Sequence, residues 1–251
     1  MKKTHATDLH TEIWGDGTPV VLVHGSLATG AEEWAEQRPL AERGYRLIVA
    51  DRRGYGSSPA PAEDYLVDAE DVAGLMGSGA HLVGHSYGGL GAMLAAARRP
   101  EATLSLTLLE PAAAHCAPHD QAWQGLIEEV RSLWQTDLSD RDWVVRFLKA
   151  VGSDPDELPP EFLDLAEATV PVLRNGRFFA DAALPLEELH DAPFPKLVVS
   201  GGHHPGFEAM SVDLARRIGA QHLVVAGAGH EIQFTGQALN DVLATCWIGR
   251  K

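Results

Sequence analysis

The chain has 251 residues, of which 45% are hydrophobic and 22% are charged, a composition typical of a globular protein with a substantial core. Its formal net charge of -15 repels phosphate backbones and anionic lipid, which excludes nucleic acid and membranes as expected partners. We expect a cytoplasmic protein, because residues 1–17 lack the apolar core of a signal peptide and no apolar run reaches the roughly 18 residues of a membrane helix.

Short apolar runs alternate with longer amphipathic stretches along most of the chain. An antiparallel edge pair with a Gly-rich turn is expected within residues 8–19. Six runs predict buried parallel strands: PVVLVHG (19–25), YRLIVAD (45–51), AHLVGHS (80–86), LSLTLLE (104–110), KLVVSGG (196–202) and HLVVAGAG (222–229). Helices are predicted over residues 89–100 and 206–219. This alternation predicts an α/β fold with a mostly parallel sheet flanked by helices.

Residues 112–190 interrupt the alternation, because they contain no strong β run. This segment carries three of the six tryptophans and four of the seven phenylalanines: Trp123, Trp134, Trp143, Phe147, Phe162, Phe178 and Phe179. We interpret it as a helical insertion, a lid or cap, between two core strands. Residues 1–111 and 191–251 then form the core.

The stretch GHSYGG (84–89) follows a predicted strand and opens an Ala-rich helix. This is the G-x-S-x-G pattern in the strand–turn–helix context that its chemistry requires. The sharp turn strains Ser86, so the small residues Gly84 and Gly88 must flank it. The turn raises the Ser86 hydroxyl above the sheet, where the positive end of the helix favours developing negative charge. Ser86 is therefore the candidate nucleophile.

A serine nucleophile needs a base and donors for an oxyanion. His230 lies in the Gly-rich loop AGAGHEIQ (226–233) after the last predicted strand, at the same sheet edge as Ser86. The turn after the first parallel strand, LVHGSLATG (22–30), exposes backbone N–H groups. Ser26 N–H and Tyr87 N–H are the predicted oxyanion donors, with Leu27 as the alternative to Ser26.

Together, HGS (24–26), DRRGYGSS (51–58), GHSYGG (84–89) and GAGH (227–230) resemble the α/β-hydrolase superfamily over nearly the whole chain. The resemblance implies the α/β-hydrolase fold, with the segment 112–190 in place of the variable lid. It also implies a structural loop role for Asp51. Haloalkane dehalogenases and epoxide hydrolases of this fold use Asp as the nucleophile, and Ser86 excludes both.

The expected catalytic acid is missing from its commonest position, where the chain reads Gly201-Gly202-His203-His204. Glu208 and Asp213 come later, inside a predicted helix. Some α/β-hydrolases, including lactone-cleaving members with a Glu, carry the acid after the strand that follows the nucleophile helix. Glu110 ends that strand here, and it is the predicted acid, with a loop-capping role as the alternative.

These residues predict a serine hydrolase that cleaves an ester or lactone of a small, apolar substrate through an acyl-enzyme, without a cofactor or metal. The predicted substrate pocket comprises Leu27, Trp123, Trp134 and Trp143, although the tryptophans equally fit a packing role. The alternatives are a lyase or C–C bond hydrolase with the same three residues, and a ligand receptor with slow turnover. We expect a monomer or homodimer with a small-molecule substrate as its partner.

Overall fold

Seven strands form one mixed sheet in the computed structural model of the protein, which describes residues 9–156, 158 and 160–248. The strands are β1 Thr11–Trp14, β2 Thr18–Val23, β3 Tyr45–Ala50, β4 Ala80–His85, β5 Thr103–Leu109, β6 Lys196–Ser200 and β7 Gln221–Val224. Their order across the sheet is β1-β3-β2-β4-β5-β6-β7. All adjacent pairs except β1–β3 are parallel, which confirms the predicted fold class. The ends of the predicted core, residues 1–8 and 249–251, lie outside the described residues.

Helices cover both faces of this sheet. The α-helices are α1 Gly30–Glu33, α2 Tyr65–Leu75, α3 Gly88–Arg98, α4 Gln121–Leu133, α5 Asp140–Ala150, α6 Pro160–Arg174, α7 Leu186–Asp191, α8 Pro205–Ile218 and α9 Gln237–Trp247. Short 3-10 helices occupy Ala35–Arg43, Pro100–Ala102, Phe179–Asp181 and Ile232–Thr235. None of the helices in the described part of the chain is long and apolar enough to cross a membrane.

Side chains of the central strands alternate between two hydrophobic cores. In β2, Val21 and Val23 face the core shared with α2, α3 and α8. Val20 and Leu22 face the opposite core, which contains Trp247 of α9. Successive strand residues point to opposite faces of the sheet. A sheet that is covered by helices on both faces therefore needs apolar residues at every position of its central strands.

The structure corrects one expectation about the sheet edge. Within residues 9–19 no antiparallel pair forms; instead β1 crosses to the far side of β3, where Thr11 lies opposite Ala50. The physical reason is that β2 is already paired on both sides in parallel register, with β3 on one side and β4 on the other. The outer edge of β3 carries unpaired backbone groups, and β1 supplies their hydrogen-bond partners.

Between β5 and β6 the described residues form helices α4 to α7 and no strand. Helix α4 packs against α8 of the core, and α5 packs against α6. The α5–α6 pair has a small hydrophobic core of its own, which includes Trp143 and reaches Leu27. That these helices act as a lid stays a prediction.

The carboxyl ends of the parallel strands bring four loops to one edge of the sheet. Strand order reverses where β4 lies beside β2, and loops at such a switch point commonly form ligand sites. Ser26 follows β2 and Ser86 follows β4. Glu110 directly follows β5, and His230 follows β7, so the fold alone places all four near one another.

Candidate active site

Ser86 sits on a strained turn between β4 and α3. Its backbone φ is +49°, a left-handed conformation that L residues rarely adopt. The turn is held against β5, because Ser86 N–H donates to the Leu109 carbonyl at 3.0 Å. A Cβ added to Gly84 would lie 2.8 Å from the Ala92 Cβ, and one added to Gly88 would overlap the His24 carbonyl oxygen. Both glycines are therefore required for the turn to pack.

Ser86, His230 and Glu110 form a continuous chain of hydrogen bonds. The distance from Ser86 Oγ to His230 Nε2 is 3.1 Å, and His230 Nδ1 lies 2.7 Å from Glu110 Oε2. A carboxylate only accepts, so His230 Nδ1 carries a hydrogen, and in the neutral imidazole Nε2 then accepts from the Ser86 hydroxyl. The ring is stacked on Phe207 of α8, with centroids 4.6 Å apart. The arrangement suits transfer of the serine proton to a positioned base.

The Glu110 carboxylate is completely buried and receives several donors. Besides His230, Gly201 N–H donates to Glu110 Oε1 at 2.7 Å, and His203 Nδ1 lies 3.4 Å from the same oxygen. Burial alone would raise the pKa of Glu110, but contact with His203 and His230 outweighs it and lowers the pKa to about 2. Glu110 is therefore ionised at neutral pH.

The other acidic residues considered from the sequence lie elsewhere. Glu208 and Asp213 are both in α8, as predicted, and neither contacts His230. Glu208 accepts from Gly202 N–H at 3.0 Å, and Asp213 accepts from Ala117 N–H at 2.9 Å. Asp51 binds the Gly30 and Ser57 N–H groups at 3.0 Å, which is the structural loop role expected of it.

The loop after β2 lies against the nucleophile turn. A Cβ added to Gly25 would lie 3.2 Å from the Ser86 Cβ. Among the described residues, no acceptor is bonded to the backbone N–H of Ser26, Leu27 or Tyr87. These groups are therefore free to bind an oxyanion, and the choice between Ser26 and Leu27 as the first donor stays open.

A buried ion pair beneath the nucleophile was not predicted from the sequence. His85 Nδ1 lies 3.1 Å from Glu33 Oε1, and His85 Nε2 lies 3.1 Å from the His230 carbonyl oxygen. Because both ring nitrogens face acceptors, the imidazole is protonated. Burial lowers the pKa of His85, but the charge of Glu33 outweighs it, so the pKa is raised. Both Glu33 oxygens also accept from Gly25 N–H, at 3.0 Å.

This ion pair connects three loops of the site. Glu33 orients the loop after β2, and His85 supports the loop that carries His230. A polar residue within the fully buried strand β4 was the signal available in the sequence for His85. Glu33 offered no such signal, because its role depends on contacts distant along the chain.

Another buried acid, Glu63, lies at the cavity itself. Its Oε2 accepts from the Tyr55 hydroxyl at 2.6 Å, the Arg52 guanidinium at 3.0 Å and the Ser26 hydroxyl at 3.1 Å. Arg52 also donates to Asp68 at 2.8 Å. The charge of Glu63 is therefore neutralised from the side away from the cavity, while its carboxylate remains part of the wall.

The larger cavity above Ser86 is mostly apolar. Its empty space is about 520 Å³ including its opening, within the range of small-molecule sites. Its described lining comprises Ser26, Glu63, Ser86, Tyr87, Ala112, Trp123, Leu126, Val130, Trp134, Phe147, Val151, Leu173, Arg177, Phe179 and Phe207. Of the predicted pocket residues, Trp123 and Trp134 belong to this wall. Leu27 lines a smaller cavity, which shares Ser26 and Ser86 with the larger one and also contains His230.

The structure does not place Trp143 at either cavity, contrary to the prediction. Its ring is fully buried behind Trp134, with centroids 5.2 Å apart, and is stacked on Phe147. Its Nε1–H donates to the Leu133 carbonyl at 3.2 Å. Trp143 thus packs α5 against α4, because its face of α5 is turned into the small core of the insertion.

No group of three or more His, Cys, Asp or Glu side chains in the described part of the chain is arranged to hold a metal ion. His203 and His204 diverge: His203 Nε2 lies 3.0 Å from the Val151 carbonyl, whereas His204 Nδ1 accepts from Gly206 N–H at the start of α8.

Comparisons of the sequence and of the structure with known proteins point to the same family. The sequence profile of the Alpha/beta hydrolase family matches residues 20–242. Among solved structures, Est816, described as an N-acyl homoserine lactone degrading enzyme, superposes with a TM-score of 0.73. It is 24% identical, and the superposition covers 94% of this chain and 96% of that one, which shows a common fold.

Curated relatives match over shorter stretches. The 2-hydroxy-6-oxononadienedioate/2-hydroxy-6-oxononatrienedioate hydrolase of Comamonas testosteroni is 36% identical over 114 residues, covering 41% of this chain and 40% of that protein. The pimeloyl-[acyl-carrier protein] methyl ester esterase of Aeromonas hydrophila is 33% identical over 150 residues, covering 57% and 58%. The chain spans about two fifths of the length of the first curated relatives that it matches.

Proposed function

Because the chain belongs to the α/β-hydrolase family, we propose that it is a serine hydrolase that cleaves a carboxylic ester or lactone of a small, apolar and uncharged substrate. The observation that carries the proposal is the hydrogen-bonded chain of Ser86, His230 and Glu110, with successive distances of 3.1 and 2.7 Å. This chain has the geometry of a nucleophile, its general base and the group that orients the base.

The proposed reaction has two steps. His230 Nε2 takes the proton of Ser86 Oγ as that oxygen attacks the substrate carbonyl, and the resulting imidazolium returns the proton to the leaving alkoxide. Water activated by His230 then cleaves the acyl-enzyme. Glu110 keeps the hydrogen of His230 on Nδ1 throughout and stabilises the imidazolium.

The tetrahedral intermediate places a negative charge on the former carbonyl oxygen. We assign its binding to the backbone N–H groups of Tyr87 and Ser26, with the Leu27 N–H as the alternative to that of Ser26. Each such donor contributes about 3 kcal/mol to stabilisation of the transition state. The glycine contacts that hold the two loops together set the spacing of these donors.

The helical segment 112–190 is the proposed lid of this site. It contributes Trp123, Leu126, Val130, Trp134 and Phe147 to the wall above Ser86. Such a wall gains free energy from burying an apolar acyl or alcohol group, at roughly 25 cal/mol per Å² of apolar surface. An apolar substrate is therefore the class that this cavity favours.

The charges around the cavity favour an uncharged substrate. Among the described residues that line the larger cavity, Arg177 is the single cation, and it forms a two-point ion pair with Asp64 at 2.9 and 3.0 Å. The single acid, Glu63, is paired with Arg52. The wall thus offers no surplus positive charge for a substrate carboxylate.

The second candidate function is hydrolysis of a C–C bond. It is favoured by the similarity to the Comamonas testosteroni hydrolase, whose named substrates, a nonadienedioate and a nonatrienedioate, each carry two carboxylates. The balance of charge at Arg177 and Glu63 favours the ester or lactone reaction over this alternative.

The test is labelling and turnover by the purified protein. We expect a fluorophosphonate probe to label Ser86 and a neutral p-nitrophenyl ester to be hydrolysed. Ser86→Ala should abolish labelling and lower kcat by about 10⁴–10⁶ while the circular dichroism spectrum stays unchanged, because the nucleophile is lost without a change in packing. Full esterase activity in Ser86→Ala would refute the serine mechanism.

The same assay distinguishes the two candidate reactions. A panel of neutral esters, lactones and a 2-hydroxy-6-oxo-dienoate is compared by kcat/KM. The proposal expects a neutral ester or lactone to be preferred over the dienoate. The opposite preference, lost in Ser86→Ala, would assign the C–C bond reaction to this site.

A further inference from the structure

His203 lies in the loop after β6, between the Glu110 carboxylate and the end of α5. Its Nε2 is 3.0 Å from the Val151 carbonyl oxygen, and its Nδ1 is 3.4 Å from Glu110 Oε1. Gly152, with φ of +79°, makes room for the ring: a Cβ there would lie 2.8 Å from His203 Cδ2. The side chain is 12% exposed, so its contacts are almost entirely with protein.

These contacts determine the protonation of the ring. A carbonyl oxygen only accepts, so His203 Nε2 carries a hydrogen. In the neutral ring the lone pair of Nδ1 would point at the Glu110 carboxylate, which is a repulsive arrangement. No other described group forms a hydrogen bond with this buried nitrogen. Burial lowers the pKa of His203, but contact with the Glu110 carboxylate outweighs burial, and the pKa is raised. At 3.4 Å the contact is a close ion pair rather than a well-formed hydrogen bond.

The same end of α5 also contacts the loop of the base. Ser153 Oγ donates to both oxygens of Glu231, at 2.7 and 2.9 Å, and Glu231 directly follows His230. Val151 and Ser153 therefore connect the insertion to the acid through His203 and to the base through Glu231. Val151 itself lines the cavity, so this end of α5 is a wall of the site as well.

We infer that protonated His203 is a positioning residue: it keeps the buried Glu110 carboxylate ionised and aligned on His230, and it joins this pair to the end of α5. The inference rests on the proposed function, because it concerns the acid of that hydrogen-bonded chain. It assigns to His203 a role in the reaction without contact with the substrate.

The physical reason is the charge balance of the buried pair. The proposed mechanism requires a neutral His230 as the base before the reaction, and the buried Glu110 carboxylate then needs another cation in contact with it. His203 supplies that cation. Without it, the site becomes neutral only when His230 itself takes up a proton, and protonated His230 cannot accept the proton of Ser86.

Several charged groups surround His203 and act on the same balance. Glu110 and Glu231 are the acids that favour its protonated form. His204 and His230 are the neighbouring imidazoles, with ring centroids 6.2 and 6.3 Å away. On α8, Phe207 covers the ring without charge. The Glu110 contact is the shortest of the acidic ones, so removal of His203 acts mainly on Glu110.

Two substitutions separate the contacts of His203. In His203→Asn the amide nitrogen replaces Nδ1 and donates to Glu110 without charge. In His203→Gln the amide nitrogen replaces Nε2 and donates to the Val151 carbonyl. His204→Asn is the matched control, because it removes the adjacent ring and supplies another residue suited to begin α8.

The measurement is kcat/KM for a neutral ester from about pH 5 to 9. Both His203 variants should move the acidic limb of the profile, which reports protonation of His230, to higher pH by about one unit. This is the size expected when a unit charge is lost from a ring 6.3 Å away. His203→Asn should retain more of the plateau rate than His203→Gln, because it keeps a donor to Glu110. His204→Asn should leave the limb in place. An unshifted limb in both folded His203 variants, with rates reduced equally at every pH, would overturn the inference.

A titration of the His203 ring by NMR in the Ser86→Ala protein needs neither activity nor a His203 variant. We expect its midpoint above the ordinary value of 6.5, and a midpoint at or below 6.5 overturns the inference. Failure of the proposed function has a different signature, since it removes fluorophosphonate labelling of the wild-type protein while leaving this titration unchanged.

Discussion

Glu110 combines two unusual properties, a strained backbone and a charge with no exposure to solvent. Its φ is +37°, and its N–H donates to the Val199 carbonyl at 3.0 Å, which fixes the residue to β6. Its carboxylate is held by His230, His203 and Gly201 N–H. Strain and buried charge are costs that folded proteins tolerate mainly where function needs them.

Glu110→Gln tests this residue directly. We expect kcat to fall by up to about 10⁴, because an amide at this place no longer holds the Nδ1–H form of His230 or stabilises its imidazolium. The measurement is ester hydrolysis at neutral pH by the folded variant. Glu208→Gln and Asp213→Asn are the controls, since both acids lie in α8 without contact with His230, and both should stay close to wild type. A fully active Glu110→Gln enzyme would remove Glu110 from the mechanism.

The same residue gives a pH dependence of stability. Its pKa is lowered from 4.5 to about 2 on folding, so its ionised form stabilises the native state above pH 4.5. This contribution, on the order of 3 kcal/mol, is lost as pH falls from 4.5 through about 2. Urea unfolding across that range should therefore show a steeper loss of stability for wild type than for Glu110→Gln. Parallel curves for the two proteins are the contrary result.

Residue types and their order along the chain are enough to single out Ser86, Glu110 and His230 from the sequence. Ser86 and Glu110 lie directly after apolar strands, His230 lies in the loop after the last strand, and a parallel sheet brings these positions to one edge. Their catalytic roles stay predictions until Ser86→Ala and Glu110→Gln are measured. The charged groups around them could not be predicted, because the Glu33–His85 and Glu63–Arg52 pairs join positions far apart in the sequence.

At the scale of elements, the helices of the insertion place two tryptophans in different environments. Trp134 lines the cavity, whereas Trp143 is buried behind it. We expect Trp134→Ala to change KM and the preference among acyl chain lengths, with a smaller loss of stability than Trp143→Ala, because Trp134 is only partly buried. Trp143→Ala should lower stability by about 3–5 kcal/mol, because it leaves a cavity in a packed core. Thermal unfolding and KM values for esters of several chain lengths distinguish them; equal effects of both substitutions on KM would contradict this division.

The sequence predicts well those strands and helices whose residues show one dominant pattern, such as a run of apolar residues or a high alanine content. The β-branched runs of the parallel strands and the Ala-rich helix α3 are of this kind. The partner of β1 is set by which sheet edge is open, a property of the assembled sheet. Neither α2 nor α9 was predicted, since each helix mixes polar and apolar residues and lacks one strong signal. Trp143 could not be told from Trp134 because the orientation of α5 follows from its packing on α6.

At the scale of the whole molecule, the formal charge of -15 surrounds a cavity with balanced charges. We expect the electrostatic field of this negative charge to repel anionic esters and so to lower their kcat/KM at low ionic strength. Between about 0.01 M and 0.5 M salt, the Debye length falls from about 30 Å to a few Å. The kcat/KM of a negatively charged p-nitrophenyl ester should then rise about threefold to tenfold. A neutral p-nitrophenyl ester serves as the control and should be unaffected. The prediction fails when both esters respond equally to salt.

The contact between the loop after β6 and Glu110 has a consequence for protein engineering. Gly201 N–H binds the Glu110 carboxylate at 2.7 Å, so that loop contacts an acid which it does not itself supply. The His203 ring is on the same side of the carboxylate, 3.4 Å away. A carboxylate introduced at position 203 would lie next to the place that the Glu110 carboxylate now occupies. We therefore expect His203→Asp to restore part of the ester hydrolysis that Glu110→Gln removes, measured as kcat of the double variant against Glu110→Gln alone. The catalytic acid could then be supplied from the end of either β5 or β6, whereas the position of His230 would stay the same.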